Sequence, residues 1–276
     1  TGAIEIKSGY GLSTEAELKM LRVIAALKSE YSIPIRSTFL GLHAVPEGKW
    51  TAKSWTAHVI AELLPKVAEG RLADYVDAFC ETGYFSVADT EALLKAAHAF
   101  AIQGKVHVNQ FNSIGGVAMG IDNQVRSLDH LEQLSDSDLS ALAVHAASDQ
   151  APIFACALPG CSYFLSIPYT PVRSLLDANV PVALATDYNP GSAPSGNMSR
   201  VVQMGMVKMK MHPLEAIAAA TINGAAAMGV SDAAGSIAPG RSANLILTNP
   251  MSGLETLGYA FGEEPVEKVF IDGVQQ

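Results

Sequence analysis

Two polar side chains at the ends of apolar, strand-like runs are of types that bind metal ions. His107 lies in the run 105–108, and Asp187 directly follows the run 180–186. Imidazole nitrogen and carboxylate oxygen are good ligands for Zn²⁺ or Fe²⁺, and a catalytic metal site needs three or more such groups and one open position. For either residue alone, a histidine bonded to a backbone carbonyl or an aspartate that caps a helix explains the pattern equally well. Their joint occurrence at two strand ends favours a metal site.

Two further histidines follow predicted strands and suit roles in hydrolysis. His130, in the run 127–131, serves either as a third ligand or as the base for a metal-bound water, whose pKa a metal lowers to about 7. The alternative is a histidine that only supports the ligands. His43 follows the run 33–40 and is placed to polarise a substrate carbonyl. The histidines within or just before predicted helices are interpreted as structural or exposed, namely His58, His98, His145 and His212.

Two loops offer hydrogen-bonding groups to a small ligand. After Asp187, a Pro-Gly turn exposes backbone N–H groups beside Asn189 and Ser192, which suits a carboxylate or amide. From spacing alone, an ordinary turn is the simpler explanation. The loop 7–11 lacks the full GxGxxG pattern, so a nucleotide site is only weakly indicated. Its glycines are expected to let the backbone approach a small ligand, with the Tyr10 hydroxyl as a donor.

Short β-rich runs alternate with helical patterns up to about residue 225. Most runs are apolar on both faces, as expected of parallel strands covered by helices. Polar residues stand just after the strands, and so many strand ends converge only if the strands form a ring. The sequence therefore predicts an α/β fold, a (β/α)8 TIM-type barrel whose second to eighth strands are present and whose first is missing. The predicted strands are 3–6, 33–40, 75–79, 105–108, 127–131, 152–157 and 180–186. The predicted helices cover about 54–69, 88–102, 137–147, 171–179 and 199–211, with one starting near Thr14, where Glu17 has capping-box spacing, and another at Pro213.

After about residue 230, turn and strand patterns replace the alternation of strand and helix patterns. A Gly/Pro turn at 235–240 leads into a strand, and a second strand, 266–271, ends at Asp272 and Gly273, a good hairpin turn. We expect residues 1–229 to form a hydrolase barrel that is incomplete at its N-terminus. Residues 230–276 are expected to supply the C-terminal strands of a small composite β domain, part of a β-sandwich.

The composition excludes several classes of protein. Apolar residues make up 49% of the 276-residue chain and charged residues 16%, which is too apolar for a disordered protein and sufficient for a large core. The net charge of −9 argues against a nucleic acid or an anionic membrane as partner. Cys80, Cys156 and Cys161 form neither a disulfide framework nor a CxxC metal pair. There is no apolar run of about 18 residues to span a membrane, and a reducing cytoplasm fits these features.

Six segments resemble motifs of the imidazolonepropionases, within the amidohydrolase superfamily of metal-dependent hydrolases, and occur in the same order. The turn at 235–245 is similar to one shared by many amidohydrolases. SGYG followed by LHAVP is specific to the imidazolonepropionases within the superfamily, and the resemblance covers essentially the whole chain. The six segments are 5–12, 38–46, 77–81, 107–110, 129–132 and 185–192.

The resemblance implies hydrolysis of the cyclic amide of 4-imidazolone-5-propanoate to N-formimidoyl-L-glutamate in histidine degradation, by a metal-activated water. It implies one divalent metal ion, zinc or iron, with His107 and Asp187 as ligands. His130 would act with Asp187 on the water, and His43 would stabilise the oxyanion. The family's habit implies a homodimer whose partner is the small-molecule substrate. Substrate contacts are implied for Tyr10, His43, Gln110, Asn189, Gly191 and Ser192.

Two departures from the family pattern affect these expectations. Some relatives have Glu at the position of Gln110, and Gln can bond a ring nitrogen but cannot transfer a proton. The family's His-x-His metal pair, at the end of the first barrel strand, is absent from this sequence. We therefore expect an N-terminal segment to be missing and the 276-residue chain alone to be inactive. The alternatives are a related deaminase acting on a nitrogen heterocycle and a non-catalytic ligand-binding fragment.

Overall fold

The computed structural model describes all residues from Thr1 to Gln276. Its strands are β1 (Ile4–Lys7), β2 (Ile35–Leu42), β3 (Tyr75–Cys80), β4 (Gln103–Gly104), β5 (Val106–Val108), β6 (Ser127–His130), β7 (Phe154–Ala157), β8 (Val182–Leu184), β9 (Leu245–Thr248), β10 (Val266–Ile271) and β11 (Val274–Gln275). The first eight form one sheet, in the order β1-β2-β3-β5-β6-β7-β8, in which every pair is parallel. The short β4 pairs with β3 just before β5 does. The sheet ends at β1 and β8, which do not pair with each other.

Helices connect the parallel strands in sequence order, as the alternating pattern predicts. They are α1 (Thr14–Glu30), α2 (Ala52–His58), a π-helical turn (Val59–Leu63), α3 (Leu64–Glu69), α4 (Val87–His98), α5 (Gly116–Asp122), α6 (Asp136–Ala146), α7 (Pro159–Leu165), α8 (Val172–Asp177), α9 (Met198–Lys208), α10 (Pro213–Ala220), α11 (Ile222–Ala227) and α12 (Thr256–Tyr259). This arrangement is that of a (β/α) barrel built from seven strand–helix units, and it confirms the predicted fold class. None of the helices combines the length and apolar composition needed to cross a membrane.

The apolar core lies between the sheet and the surrounding helices. Leu21 of α1, Leu42 of β2 and Val76 of β3 are fully buried within one large cluster that runs along the whole sheet. The opposite face of the sheet is different, because charged side chains from several strands point into it. The strands β1, β3 and β6 are exceptions to the expectation that most strands are apolar on both faces, because they carry Glu5, Asp77 and Asp129 at buried or nearly buried positions. Burying such groups is costly unless they pair.

Helix α1 begins differently from the expected capping box. Ser13 is its N-cap, and the Ser13 hydroxyl accepts a hydrogen bond from the Ala16 N–H. The Glu17 carboxylate turns back to the loop before the helix instead of to the N-cap N–H. Helix α1 is thereby joined to the loop that follows β1.

The C-terminal region forms a three-stranded antiparallel sheet in the order β11-β10-β9. The hairpin between β10 and β11 turns at Asp272 and Gly273, whose φ angles are +49° and +80°, as the sequence predicts. This sheet is the only one that the chain supplies there, and the expected composite β domain, of which it would be a part, stays a prediction. Side chains of α9 attach the region to the barrel, since Gln203 Nε2 donates to the Ala260 carbonyl at 3.3 Å and Arg200 donates to the Phe261 carbonyl.

Candidate active site

The residues predicted to do chemistry lie at the carboxyl ends of the parallel strands. His43 directly follows β2, His107 lies within β5, His130 ends β6 and Asp187 follows β8. The rings of His107 and His130 are 5.4 Å apart between centroids, and the Tyr10 and His43 rings are 4.8 Å apart. The parallel sheet therefore brings side chains from distant parts of the sequence to one face, where barrel enzymes have their active sites.

All three histidines of this face have Nδ1 next to an oxygen acceptor. His107 Nδ1 lies 3.0 Å from Asp77 Oδ2, although this contact is not aligned as a good hydrogen bond. His130 Nδ1 lies 3.2 Å from Glu132 Oε1, and His43 Nδ1 lies 2.9 Å from the Gly9 carbonyl oxygen. An acceptor at Nδ1 fixes the ring and leaves Nε2 with its lone pair for a metal ion or a substrate.

His107 is the histidine with the strongest electrostatic partner. Burial alone would lower the pKa of His107, but the Asp77 carboxylate outweighs burial and raises that pKa above its usual value. Burial would raise the pKa of Asp77, but His107 and Lys7 hold it well below its usual value. Asp77 is thus an anion that orients the imidazole, as carboxylates do for metal-binding histidines.

Asp187 and Gln110 both lie near the Cys161 thiol. The Asp187 side chain has no hydrogen-bond or ion-pair partner in the chain. The backbone carbonyl of Asp187 accepts a hydrogen bond from Asn189 Nδ2 at 2.6 Å. Burial, with the nearby Asp187 carboxylate, raises the pKa of Tyr10. Gln110 Nε2 lies 3.2 Å from Cys161 Sγ. Burial raises the pKa of Cys161 to about 12, so the thiol is protonated at neutral pH.

The donor set fits a divalent metal. The Asp187 carboxylate, which has no partner, and His107 Nε2 are oxygen and nitrogen ligands of the types that zinc and iron take. Asp77, His107 and Asp129 also place ligand atoms within 4.8 Å of one another. However, the Lys7 ammonium lies 2.7 Å from Asp77 and 3.1 Å from Asp129 and already neutralises these carboxylates. We therefore assign the two aspartates to the support of His107 and Lys7.

The turn after Asp187 uses its donors internally. Asn189 Oδ1 accepts from the Gly191 N–H at 2.9 Å and from the Ser192 N–H at 2.7 Å. Asn189 Nδ2 also lies 3.1 Å from the Ser192 hydroxyl. A substrate carboxylate would bind these N–H groups only by displacing the Asn189 side chain. The contacts expected of Asn189, Gly191 and Ser192 remain predictions.

A network of buried charges, not expected from the sequence, lies behind the site. Lys7 contacts Glu5 at 3.2 Å as well as Asp77 and Asp129, and Lys105 Nζ lies 2.5 Å from Glu5 Oε2. Burial would raise the pKa of Glu5, but Lys105 and Lys7 lower it to about 2. The available signal was the alternation of Glu5 and Lys7 in β1, which puts both on the inner face of the sheet.

Several residues of this face adopt left-handed backbone conformations that are unusual for side chains other than glycine. The φ angles are +85° at His130 and +63° at Leu131, two in succession, with +56° at Asn109 and +51° at Asp187. Such conformations are strained and persist where surrounding contacts hold them, often at functional sites. They occur at His130, the last residue of β6, and at Asp187, shortly after β8.

The glycines of the loop after β1 meet protein and not a ligand-sized space. A Cβ on Gly9, whose φ is +110°, would lie 2.9 Å from the Leu40 carbonyl oxygen. A Cβ on Gly11 would lie 2.6 Å from the Glu17 backbone nitrogen. The need for glycine at both positions therefore comes from the protein's own packing, and the expectation that the backbone approaches a small ligand here stays a prediction. The glycines allow the loop to pack against β2 and α1.

Glu17 fixes this loop from α1. Its buried carboxylate accepts hydrogen bonds from the N–H groups of Gly9 at 2.8 Å, Gly11 at 2.6 Å and Leu12 at 3.2 Å. These N–H groups surround Tyr10 on both sides. The backbone on either side of Tyr10 is thus held by a residue that sequence spacing assigned to helix capping.

The substitution Glu17→Gln is expected to loosen this loop. The amide replaces one carboxylate oxygen with a donor that faces a backbone N–H, and leaving such a group unsatisfied costs about 1–3 kcal/mol. Amide hydrogen exchange at Gly9, Gly11 and Leu12 should accelerate by about tenfold or more, since 1.4 kcal/mol is a factor of ten. Glu15→Gln, an exposed position in the same helix, is the matched control. Equal exchange rates in both variants would show that Glu17 does not hold the loop.

Comparison with known proteins places the geometry in context. The sequence profile of the amidohydrolase family matches residues 92–275. Imidazolonepropionases from Christiangramia forsetii and Flavobacterium johnsoniae are each 54% identical to the chain over 274 residues. These 274 residues are 99% of this chain but 65% of either relative, so the chain spans about two thirds of the length of these curated proteins. The imidazolonepropionase of Alkaliphilus metalliredigens is 38% identical over 98% of this chain and 63% of its own length.

Solved structures share the fold at much lower identity. A 5-methylcytosine deaminase from Klebsiella pneumoniae superposes with a TM-score of 0.74 at 19% identity, over 99% of this chain and 70% of that one. An adenosine deaminase from Xanthomonas campestris with bound zinc gives 0.69 at 18% identity, over 92% and 63%. At these identities the likeness concerns the architecture alone.

Proposed function

Because the chain belongs to the amidohydrolase family, whose members are metal-dependent hydrolases, we propose that the natural protein hydrolyses the cyclic amide of 4-imidazolone-5-propanoate to N-formimidoyl-L-glutamate. The observation that carries this proposal is the 54% identity to imidazolonepropionases along 99% of the chain. The site residues lie within this matched length. We also propose a zinc or iron ion and a homodimer, which the resemblance to this family implies, and a cytoplasmic location.

In this proposal each histidine has a different role, which depends on the oxygen that lies next to its Nδ1 atom. A divalent metal, when bound, supplies Lewis-acid activation of water and carbonyl. His107 Nε2 and the Asp187 carboxylate would hold it. His130 Nε2 accepts a proton from the attacking water, and the Glu132 carboxylate 3.2 Å from Nδ1 stabilises the resulting imidazolium. His130 then returns the proton to the ring nitrogen that leaves, because Gln110 cannot transfer one.

Substrate positioning falls to the residues around Tyr10. The Tyr10 hydroxyl is expected to donate to the substrate, since its raised pKa keeps it protonated. Gln110 contacts Cys161 on one side and offers its remaining amide hydrogen-bonding capacity to a ring nitrogen. Asn189, Gly191 and Ser192 would receive the propanoate once Asn189 moves. The domain division at residue 229 also stays a proposal.

The direct test is a pair of assays on the purified, metal-loaded natural protein. We expect ring opening of 4-imidazolone-5-propanoate, which is monitored as the loss of its ultraviolet absorbance. We expect no ammonia release from 5-methylcytosine or adenosine. The deaminases are relevant because their structures superpose well, yet their identity is low. Ammonia release without ring opening would reject the proposal in favour of deamination. An exposed-site variant, His98→Ala, should match the parent protein.

A further inference from the structure

We propose that Glu81 is a positioning residue, which holds Gln110 in place by anchoring the loop that follows β5. This loop, residues 109–113, carries Gln110 at its second position. The proposal rests on the proposed function, because Gln110 is a substrate contact only in that proposal. It gives a role to Glu81, which directly follows β3 and is not among the proposed metal ligands or substrate contacts.

The protein itself uses the whole hydrogen-bonding capacity of the Glu81 carboxylate. Oε2 accepts hydrogen bonds from the backbone N–H groups of Phe111 at 2.8 Å and Asn112 at 3.2 Å. Oε1 accepts from Asn112 Nδ2 at 3.0 Å and from the Thr82 N–H at 2.7 Å. Four donors match the capacity of an ionised carboxylate. Although Glu81 stands at a strand end, it therefore has no lone pair left for a metal ion or a substrate.

Glu81 bonds to backbone N–H groups that have no other partner. The N–H groups of Phe111 and Asn112 make no hydrogen bond to another backbone group, and both residues are exposed. Glu81 itself is buried, with 1% of its surface exposed. An exposed segment without backbone hydrogen bonds is expected to move unless side chains hold it. The order of the backbone directly after Gln110 therefore depends on one buried carboxylate.

The ends of the loop are fixed by a second carboxylate, from α6. Asn109 Nδ2 donates to Asp138 Oδ2 at 2.9 Å, and the Ser113 hydroxyl donates to the same oxygen at 2.7 Å. The Asn109 backbone has a φ angle of +56°, which asparagine tolerates better than most residues. Asp138 thus holds the two ends of the loop and Glu81 holds its middle. Between these anchors Gln110 is buried, with 6% exposed.

The anchor is expected to act on substrate binding and not on the chemical step. A mobile segment that must become ordered around a ligand weakens binding by the free energy of ordering. A loop that Glu81 orders in advance avoids this cost without any contact between Glu81 and the substrate. The cost of a loosened loop is the same in the bound substrate and in the transition state. Loss of the anchor should therefore raise KM and leave kcat nearly unchanged.

The first arm of the test measures the order of Gln110 without any ligand. Relaxation of ¹⁵N in the side-chain amide of Gln110 is measured in the natural protein, and Gln110→Ala identifies the resonance by its loss. We expect the order parameter to fall in Glu81→Gln to the flexible range, below about 0.6. Glu69→Gln, at an exposed position of α3, is the matched control and should equal the parent. An unchanged order parameter in Glu81→Gln would overturn the proposal whatever the substrate is.

The second arm is a double-mutant cycle with 4-imidazolone-5-propanoate as substrate. Glu81→Gln should raise KM about tenfold, because an amide N–H that replaces an acceptor leaves a backbone N–H unsatisfied. The value of kcat should change by less than about twofold, whereas a partly unfolded enzyme would lose kcat at an unchanged KM. In the Gln110→Ala background the same substitution should raise KM by about twofold or less, since the side chain that the loop positions is gone.

The outcomes of this cycle separate the two proposals. An equal rise in KM in both backgrounds, or a loss of kcat alone, would show that Glu81 does not act through Gln110, while the proposed function stands. Absence of ring opening in the parent protein would reject the proposed function, and the order parameters then decide whether Glu81 anchors Gln110. If Glu81→Gln does not fold, Asn112→Ala removes one of the four hydrogen bonds and should raise KM about fivefold, with the same dependence on Gln110.

Discussion

Replacing His107 with alanine in the natural protein is expected to weaken metal binding by more than about a hundredfold. Removal of the carboxylate or carbonyl behind a ligand typically costs 10–100-fold in metal affinity, and removal of the ligand itself should exceed that. His107 meets the requirements of a ligand because its Nδ1 lies 3.0 Å from Asp77 Oδ2 and its Nε2 makes no hydrogen bond within the chain. Asp187→Ala should have a comparable effect.

A graded series tests the assignment of each group. Asp77→Asn should lower the affinity by about 10–100-fold, since it alters only the orientation and basicity of His107. His98→Ala, at an exposed position of α4, should retain full metal content. Elemental analysis gives the stoichiometry, and competition with a chelator of known affinity gives the fold-change. One equivalent of metal in both His107→Ala and Asp187→Ala would show that the assigned ligands are wrong.

Lys7→Met is expected to destabilise the chain by about 3 kcal/mol, because removing one partner of a buried ion pair leaves uncompensated charge, at a cost of about 3–5 kcal/mol. We expect the lower end because a quarter of the Lys7 side chain, 24%, is exposed. Methionine keeps most of the side-chain volume, so the loss reports charge and not a cavity. It leaves Asp77 and Asp129 without their shared ammonium.

Urea unfolding followed by circular dichroism measures this loss. Lys19→Met, at an exposed position of α1, is the matched control and should stay within about 0.5 kcal/mol of the parent. If Lys7→Met does not fold, Lys7→Arg keeps the charge and should lose less. A stability of Lys7→Met equal to the parent would show that the network contributes nothing.

The same network gives the prediction a pH dependence. Glu5 has a folded-state pKa of about 2 against an ordinary value of 4.5, and the pKa values of Asp77 and Asp129 are also lowered. A lowered carboxyl pKa contributes stability that is complete above 4.5 and is lost as the pH falls toward 2. The difference between the parent and Lys7→Met should therefore shrink across this window.

The parallel architecture could be predicted from the sequence because apolar runs bounded by helical patterns determine it. All seven predicted strands exist, with ends displaced by up to about two residues. Helix α7 was missed because its first residues, Pro159 and Gly160, are typical of a turn, although Pro is also favoured in a first helical turn. The short α5 contains two glycines in seven residues and gives no clear helical pattern.

The residues of the candidate site could be predicted from the sequence, but most of the residues that hold them in place could not. His107, His130 and Asp187 stand out because each is a polar side chain beyond an apolar strand. The partner of His107, Asp77, lies on another strand, and only the register of β3 and β5 brings the two together. The partner of His130, Glu132, is two residues away and could have been considered from the sequence. Glu17 was expected to cap α1 but instead holds the loop before the helix. This role depends on the tertiary path of the loop, which the sequence does not show.

Gly9 and Gly11 pack closely against β2 and α1, and this packing changes which property of a protein the SGYG segment indicates. A short motif beside an active site is usually read as a signature of chemistry, and transferred to distant sequences on that basis. Here the steric demand on both glycines comes from the scaffold. In a diverged sequence, the two glycines would indicate that the fold is retained. The reaction would have to be inferred from Tyr10, His43 and the groups that they face.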